Sequence, residues 1–432
     1  MRFNILGNSV TGYKNLVRGS KSQDYIDYKE EDKYIICSVA DGNSTPFFKH
    51  SLDGAKFACE ASIDVLSENF DMDIEQLATS TIKLLIAKMS LLSAYIAEKD
   101  KEGWHWCMPF DRETGKPTIS FGDGEDYTSI TAEYIMQKAK SDSEFLVITP
   151  AMPGSAGLNQ EQRKELGLQY VDVGIAEEQA VAMASGAAKN GAKPLVVTNT
   201  TFIQRAYDQI SHDVCINNSS VTILLNYNSF DSLTDVTHLG IFGLAAYTNV
   251  PNLVVLAPTS KDEYLAMLDW SVDQKEHPVM ILIPGNQVTY READKDFNRL
   301  NHFKVEEAGE KVAILALGDF YQRGEQLSAK IKAELGFTPT LINPRFASGI
   351  DKELLESLSE RHQMVITMED GVKKGGLGSE ATEFFASRGY KPQIITLGLP
   401  DSFVEHGSPG ELYKITRLDK QTVEDEILKP LP

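Results

Sequence analysis

The sequence predicts an α/β protein with two consecutive parallel-sheet α/β domains, preceded by a partial α+β segment. Apolar strands alternate with helical patterns from Glu144 to about Pro284, and a second, shorter alternation covers residues 311–398. Continuous apolar strands separated by helices are typical of a parallel sheet that is covered on both faces. The length of 432 residues leaves room for roughly two or three domains, each with its own core.

The first alternation contains six predicted strands and three predicted helices. The strands cover 145–149, 169–173, 194–198, 221–226, 253–258 and 278–284, and the helices cover 177–190, 201–216 and 260–271. Each strand is a short apolar run, and each helix carries apolar residues at helical spacing. We therefore place one domain at 127–290.

The second alternation follows a charged joint at 291–301. Its predicted strands cover 311–317, 338–343, 363–369 and 392–398, and the segment GGLGS (375–379) is interpreted as a turn that opens a helix. These elements predict a second domain at 303–432.

The first part of the chain has a different pattern. An apolar strand within 34–44 ends in an acidic turn, and an amphipathic helix is predicted at 56–69. The following stretch is rich in Gly, Pro and charge and lacks a helical or strand period. We therefore expect an N-terminal fragment at 1–92 and a linker at 93–126.

Composition excludes some partners and compartments. The net charge of −20 argues against a nucleic-acid partner or an anionic membrane surface. No apolar run reaches the roughly 20 residues that span a bilayer. The sequence has 4 cysteines and no CxxC pair, which favours a reducing compartment. We expect a cytoplasmic protein.

Three polar or aromatic residues follow the strands of the first domain. Glu177 comes directly after the strand that breaks at Gly174, while Phe202 and Arg205 follow the next strand. Open parallel sheets bind ligands at the carboxyl ends of their strands. A carboxylate, an aromatic ring and a guanidinium suit a flat, nitrogen-rich heteroaromatic cofactor.

Residues from about 98 to about 427 resemble the 1-deoxy-D-xylulose-5-phosphate synthase family of the transketolase group. The matching segments are GIAEEQA (174–180), TFIQRAYDQISHD (201–213), THLGIF (237–242), GGLGS (375–379) and GLPDSFVEHG (398–407). The resemblance implies the thiamine-diphosphate pyrimidine-binding fold, then the transketolase C-terminal fold. It also implies C–C bond formation between a two-carbon unit derived from pyruvate and glyceraldehyde 3-phosphate.

The resemblance further implies roles for individual residues. Glu177 would bind the cofactor's pyrimidine nitrogen, Ile175 and Phe202 would hold the cofactor, and Arg205, His238 and His105 would face the substrate.

Each role has a structural alternative. Acids such as Glu177 and Glu178 are favourable in the first turn of any helix, because they oppose the helix dipole. Phe202 could be a core residue, Arg205 could pair with Asp208 three positions on, and each histidine could be structural.

Some positions depart from the family. Gln179 stands where the family usually has His, and Asn199 stands where it usually has Tyr. The stretches 225–233 and 281–288, which correspond to the family's phosphate-binding arginines, contain no Arg. Either the substrate differs or its pocket is less constrained.

The start of the chain resembles a metal-dependent serine/threonine protein phosphatase through SQDYIDY (22–28) and VADGNS (39–44). Asp24 and Asp41 match two metal-binding positions of that family, and its later acidic motifs have no counterpart. Because two carboxylates underfill a six-coordinate cation, these are weak candidates and no metal site is predicted.

The family's diphosphate-binding domain also has no counterpart, so we expect this chain to bind only the pyrimidine half of thiamine diphosphate. Mg²⁺ would bind only with a partner domain, which a separate diphosphate-binding subunit could supply. The chain itself would form a homodimer. The sequence leaves two other functions open: a non-catalytic assembly or regulatory protein, and a protein phosphatase.

Overall fold

The structure is a computed structural model, and it describes residues 25–30, 35–40, 56, 59–60, 63–64, 124–226, 228, 230, 236–285, 287–390 and 392–428. The chain divides into two compact units, 1–123 and 124–432. In the first unit, β1 (Tyr25–Glu30) and β2 (Ile35–Ala40) form an antiparallel hairpin. The described residues 56, 59–60 and 63–64 are helical, as predicted for this segment.

The second unit begins with a six-stranded sheet in the order β4-β3-β5-β6-β8-β7, and all neighbouring strands are parallel. The predicted parallel sheet is therefore confirmed. Its strands are β3 (Phe145–Thr149), β4 (Tyr170–Asp172), β5 (Lys193–Asn199), β6 (Thr222–Asn226), β7 (Val254–Leu256) and β8 (Val279–Leu282). Every residue of β6 and β7 is buried, which explains their continuous apolar pattern.

Helices cover both faces of this sheet. They are α1 (Tyr127–Ser141), α2 (Gln160–Leu166), α3 (Glu177–Lys189), α4 (Thr200–Ile203), α5 (Tyr207–Gln209), α6 (Gly243–Tyr247) and α7 (Lys261–Asp273). Helix α1 is not among the predicted elements. It begins at a capping box in which Asp126 accepts a hydrogen bond from the Ser129 amide at 2.7 Å.

The segment predicted as a helix at 201–216 is helical throughout, but it is not one regular α-helix. Between α4 and α5 the chain forms a 3₁₀ turn (Gln204–Ala206), and after α5 it widens into a π-helical segment (Ile210–Ile216). Ile210 and Val214 are both fully buried. The buried residues Ile203, Ala206, Ile210 and Val214 are three or four positions apart, a spacing that also fits a regular α-helix, so the apolar pattern did not reveal the change in winding.

The second sheet has five strands in the order β13-β12-β10-β11-β9. They are β9 (Lys304–Glu307), β10 (Lys311–Ala316), β11 (Thr340–Asn343), β12 (His362–Val372) and β13 (Gln393–Leu399). Four strands are parallel, whereas the edge strand β9 runs antiparallel to β11 and was not predicted. Parallel sheets often carry such an edge strand.

Five helices accompany this sheet: α8 (Tyr321–Leu335), α9 (Lys352–Arg361), α10 (Leu377–Ser387), α11 (Pro409–Ile415) and α12 (Lys420–Leu428). In the part of the chain that the structure describes, no helix combines the length and the apolar character that crossing a membrane requires.

The two sheets of the second unit share one hydrophobic core. Leu244 and Tyr247 of α6 belong to the same buried cluster as Leu317 and Leu377. Backbone hydrogen bonds also link the sheets, since the Ala347 amide donates to the Val255 carbonyl at 2.8 Å. Side chains and backbone together therefore hold the first sheet against the second.

Candidate functional site

A tight turn between β4 and α3 positions the first glutamate of the candidate site. The Asp172 carboxylate accepts hydrogen bonds from the amides of Gly174 and Ala151, each at 2.9 Å. Gly174 has a φ of 73°, which a residue without Cβ adopts readily. The turn makes Glu177 the first residue of α3, at the carboxyl edge of the sheet.

The Glu177 side chain is buried, whereas its neighbour Glu178 is exposed. Glu177 has 2% of its surface exposed. Favourable interaction with the helix dipole is enough to explain an acid at the exposed position 178. Burying the Glu177 carboxylate costs free energy unless it also has hydrogen-bonding partners. Its one hydrogen-bond partner among the described residues is Arg205, whose Nη1 lies 3.4 Å from Oε2. This carboxylate therefore keeps capacity for a further polar partner.

Arg205 lies in the 3₁₀ turn after α4, and its side chain is 57% exposed. The alternative pairing with Asp208 is not observed. Asp208 instead faces His212, with 3.0 Å between Oδ1 and Nδ1. Arg205 therefore joins the Glu177 carboxylate to solvent, where a ligand can reach it.

Phe202 and His238 form the aromatic part of the site. Their ring centroids are 5.4 Å apart and the rings are nearly perpendicular, at 76°. Both residues are half-buried. The Thr237 hydroxyl lies 2.9 Å from Nδ1 of His238, which leaves Nε2 for other partners. Phe202 is therefore not enclosed in the core.

The remaining predicted site residues have different outcomes. Ile175 is 77% exposed two positions before Glu177, so it is open to a ligand. His105, Asp24 and Asp41 lie outside the described residues. Within the described part of the chain, no group of three or more His, Cys, Asp or Glu side chains could hold a metal ion.

A buried polar network at the ends of β5 and β6 was not predicted from the sequence. Ser155 donates to the Asn199 side chain and accepts, through its carbonyl, from the Asn226 side chain, each at 2.8 Å. The Thr200 hydroxyl donates to the Asn226 carbonyl at 2.9 Å. The available signal was that β5 and β6 both end in asparagine, which is unusual for a buried strand.

The arginine that follows β8 is engaged within the protein. Arg291 pairs with Glu325, with 3.2 Å between Nε and Oε1, and donates to the Thr259 carbonyl at 2.7 Å. Its planar donor group is thus already occupied, so it does not replace the arginines missing from the stretch 281–288.

Comparison with known families identifies the second unit. Residues 124–289 match the transketolase pyrimidine-binding domain, and residues 301–423 match the transketolase C-terminal domain. These two regions belong to the transketolase family. Residues 11–111 match protein phosphatase 2C, in agreement with the resemblance found at the start of the chain.

Curated proteins similar to the transketolase region include several 1-deoxy-D-xylulose-5-phosphate synthases. The chain is 37% identical over 343 residues to that of Clostridium perfringens (strain 13 / Type A), covering 78% of this chain and 54% of the relative. It is 34% identical over 339 residues to that of Shouchella clausii (strain KSM-K16), with 78% and 54% covered. The chain spans about half the length of these relatives.

Two solved structures share the fold of the transketolase region. A split-gene transketolase, described as an inactive β4 tetramer, superimposes with a TM-score of 0.61 at 22% identity, covering 71% of this chain and 98% of that chain. A Pichia stipitis transketolase mutant in complex with xylulose 5-phosphate gives 0.58 at 15% identity, covering 84% and 56%. These similarities confirm the predicted fold class.

Proposed function

We propose that the transketolase region supplies the pyrimidine-binding half of a thiamine-diphosphate site. Its reaction would be of the 1-deoxy-D-xylulose-5-phosphate synthase type, joining a two-carbon unit from pyruvate to glyceraldehyde 3-phosphate. The observation that carries this proposal is the buried Glu177 carboxylate, which has one long ion pair and remaining hydrogen-bonding capacity. A ring nitrogen that shares a proton with this carboxylate would satisfy it.

Each side chain has a distinct part in this proposal. When bound, thiamine diphosphate supplies a carbon nucleophile, and the protein supplies orientation and proton handling. Glu177 would hold a proton at the pyrimidine nitrogen, while Ile175 and Phe202 offer apolar and aromatic surface to the ring. His238 would exchange a proton with a substrate oxygen through Nε2, because Nδ1 is already held by Thr237.

Arg205 would bind the substrate. Its exposed guanidinium meets Glu177 at 3.4 Å, a distance longer than a charge-assisted hydrogen bond usually has. The pair uses only Nη1, so the other guanidinium nitrogens of Arg205 can bind an anionic substrate group without leaving Glu177 unpaired. The described residues of the loop after β6 include no arginine, and Arg291 after β8 is already paired with Glu325, so the phosphate would depend on Arg205.

We further propose that a separate subunit supplies the diphosphate-binding half and, with it, the Mg²⁺ site. The matched domains are the pyrimidine-binding and C-terminal ones, and the curated relatives are about twice as long as the matched region. The chain itself would form a homodimer in the cytoplasm.

Calorimetry tests the cofactor proposal directly. Thiamine diphosphate and Mg²⁺ are titrated into the purified chain, first alone and then after mixing with a diphosphate-binding transketolase subunit. We expect saturable, Mg²⁺-dependent binding only in the mixture. Tight binding to the chain alone would contradict the need for a second subunit, and no binding in the mixture would contradict the cofactor assignment.

A non-catalytic assembly or regulatory role is the second candidate. It is favoured by the lack of arginine in the two loops and by Asn199 in place of an aromatic residue. Under this proposal the mixture described above would form a stable complex and yet produce no product from pyruvate and glyceraldehyde 3-phosphate.

A protein phosphatase is the third candidate, and the match at residues 11–111 is its support. Hydrolysis of p-nitrophenyl phosphate with Mn²⁺ measures this activity. The candidate stands only if the wild-type chain is active and the Asp41→Ala variant is not.

A further inference from the structure

The structure brings one buried threonine, Thr200, into contact with the end of β6 and with the segment that carries His238. Thr200 is the first residue of α4 and has 3% of its surface exposed. Phe202 lies two residues later in the same short helix. Whatever holds Thr200 therefore also holds the Phe202 ring.

The hydroxyl of Thr200 makes the first part of this contact. Oγ1 lies 2.9 Å from the Asn226 carbonyl oxygen and 2.5 Å from Oδ1 of Asn228, and its single proton is shared between these acceptors. Asn228 is itself fixed, because its Nδ2 donates to the carbonyls of Leu225 and Ile283 at 3.0 and 3.3 Å. The hydroxyl thus anchors the start of α4 to the end of β6.

The methyl group of Thr200 makes the second part. A Cβ added at Gly243 would lie 2.1 Å from Cγ2 of Thr200, far inside van der Waals contact. Only a glycine lets the start of α6 come so close to α4. The Gly243 amide donates to the Gly240 carbonyl at 3.1 Å, which ties this contact to the segment that precedes it.

The far side of that segment is held by the second sheet. The Val372 amide donates to the Ile241 carbonyl at 3.0 Å, and a Cβ added at Gly371 would meet the Leu244 side chain at 3.0 Å. The segment 237–243 is therefore confined between Thr200 and β12. His238 lies within it, and its distance from Phe202 depends on both boundaries.

We propose that Thr200 is a positioning residue that sets the distance between His238 and Phe202 through its methyl contact with Gly243. The proposal rests on the function assigned above to these two rings, and it adds the element that holds them together. Thr200 itself touches neither ring in the contacts described, so its effect is indirect.

The experiment uses nuclear magnetic resonance of the full chain without cofactor. The imidazole Cε1–H signal of His238 is assigned by its loss in His238→Gln, and its ring-current displacement is defined by comparison with Phe202→Leu. We expect Gly243→Ala to move this signal at least halfway toward its position in Phe202→Leu, because the added methyl group pushes α6 away from α4.

A second substitution then tests the mechanism by rescue. Thr200→Ser keeps the hydroxyl and removes the Cγ2 atom that the new alanine would meet. We expect the double variant, Thr200→Ser with Gly243→Ala, to return the His238 signal to near its wild-type position. General damage from the alanine would not be repaired by a smaller side chain at residue 200.

A matched control comes from the same strand and helix junction. Thr198 is fully buried, and its hydroxyl has no hydrogen-bond partner in the described structure. Thr198→Ser should leave the His238 signal unchanged, whereas Thr200→Ser alone should move it, because it removes the methyl group that lies against Gly243. The proposal is overturned if Gly243→Ala leaves the signal in place, or if the double variant shows the same displacement as Gly243→Ala. Because the readout needs neither cofactor nor a second subunit, its failure is distinct from failure of the calorimetric test.

Discussion

Two buried glutamates, Glu177 and Glu369, lie beside the starts of helices α3 and α10, and their surroundings differ. Glu369 is fully buried at the end of β12, and its two oxygens accept hydrogen bonds from the amides of Leu377 and Gly378 at 2.7 and 2.9 Å. Glu177 is almost as buried, yet its described partner is one arginine at 3.4 Å.

This contrast separates a structural carboxylate from one that is available to a ligand. Both oxygens of Glu369 are used by its own chain, where they accept from the first two amides of α10, which have no partner within the helix, so this residue has a structural role. Glu177 retains hydrogen-bonding capacity at the edge of the sheet, so it can receive a ligand. Burial alone does not distinguish the two residues; the hydrogen bonds do.

The largest expected effect is on catalysis. Glu177→Gln should lower the rate of product formation by the reconstituted complex by about 10²–10⁴-fold, the usual contribution of a positioned acid–base group. Its free energy of unfolding should change by less than about 1 kcal/mol, because the lost ion pair is long and its arginine is exposed. Product assays and urea denaturation measure the two quantities. The exposed neighbour provides the control, since Glu178→Gln should change neither, and equal rates in both variants would favour the assembly role.

The second effect is on stability and depends on pH. Burial raises the pKa of Glu369 from 4.5 to about 7, while its bonds to the amides of Gly378 and Leu377 act against the increase. The folded state therefore binds this proton more tightly than the unfolded state. The stability linked to the proton is complete below pH 4.5 and is lost as the pH rises through about 7.

Across this span of about 2.5 pH units, the loss amounts to about 3 kcal/mol, at 1.36 kcal/mol per unit. Urea denaturation between pH 5 and 8 measures it, with those pH values chosen to bracket roughly the folded-state pKa. Glu369→Gln should show a smaller decline than wild type, and an identical decline would contradict the assignment.

The smallest effect concerns two glycines, one at the start of α10 and one within α3. A Cβ added at Gly376 would lie 2.0 Å from Oε2 of Glu369. Gly376→Ala should therefore destabilise the protein by about 1–3 kcal/mol, as overpacking does. The comparison is Gly186→Ala in α3, where nothing lies within 4 Å of the added atom. This variant should be more stable by about 0.5–1 kcal/mol. Thermal unfolding measures the melting temperature of each variant. A shift of both melting temperatures in the same direction would contradict the difference in packing.

Much of the fold could be predicted from local patterns. The strand predicted at 145–149 is β3 without change, and the one predicted at 194–198 differs from β5 by one residue at each end. Buried parallel strands read as continuous apolar runs, so their positions are encoded locally. Edge strand β9 is half-exposed and has no such run, which is why it escaped prediction.

The site was predictable in part. Glu177, Phe202 and Arg205 could be placed at strand ends from their motifs, and the roles assigned to them remain predictions. Arg205 contacts Glu177 and not Asp208, and this contact joins two residues that are 28 positions apart in the chain. No local pattern carries that information, because it depends on how α3 and the turn after α4 pack against each other.

Local sequence patterns specify the succession of strands and helices, the family resemblance, and which residues follow each strand. These features depend on burial patterns and turns within a few neighbouring residues. Three features emerge only when the segments pack together: Glu177 is buried while Glu178 is exposed, the predicted helix 201–216 changes its winding, and Thr200 lies against Gly243. Those outcomes depend on contacts between segments distant in the chain, where the shape of one element limits how closely the next can approach.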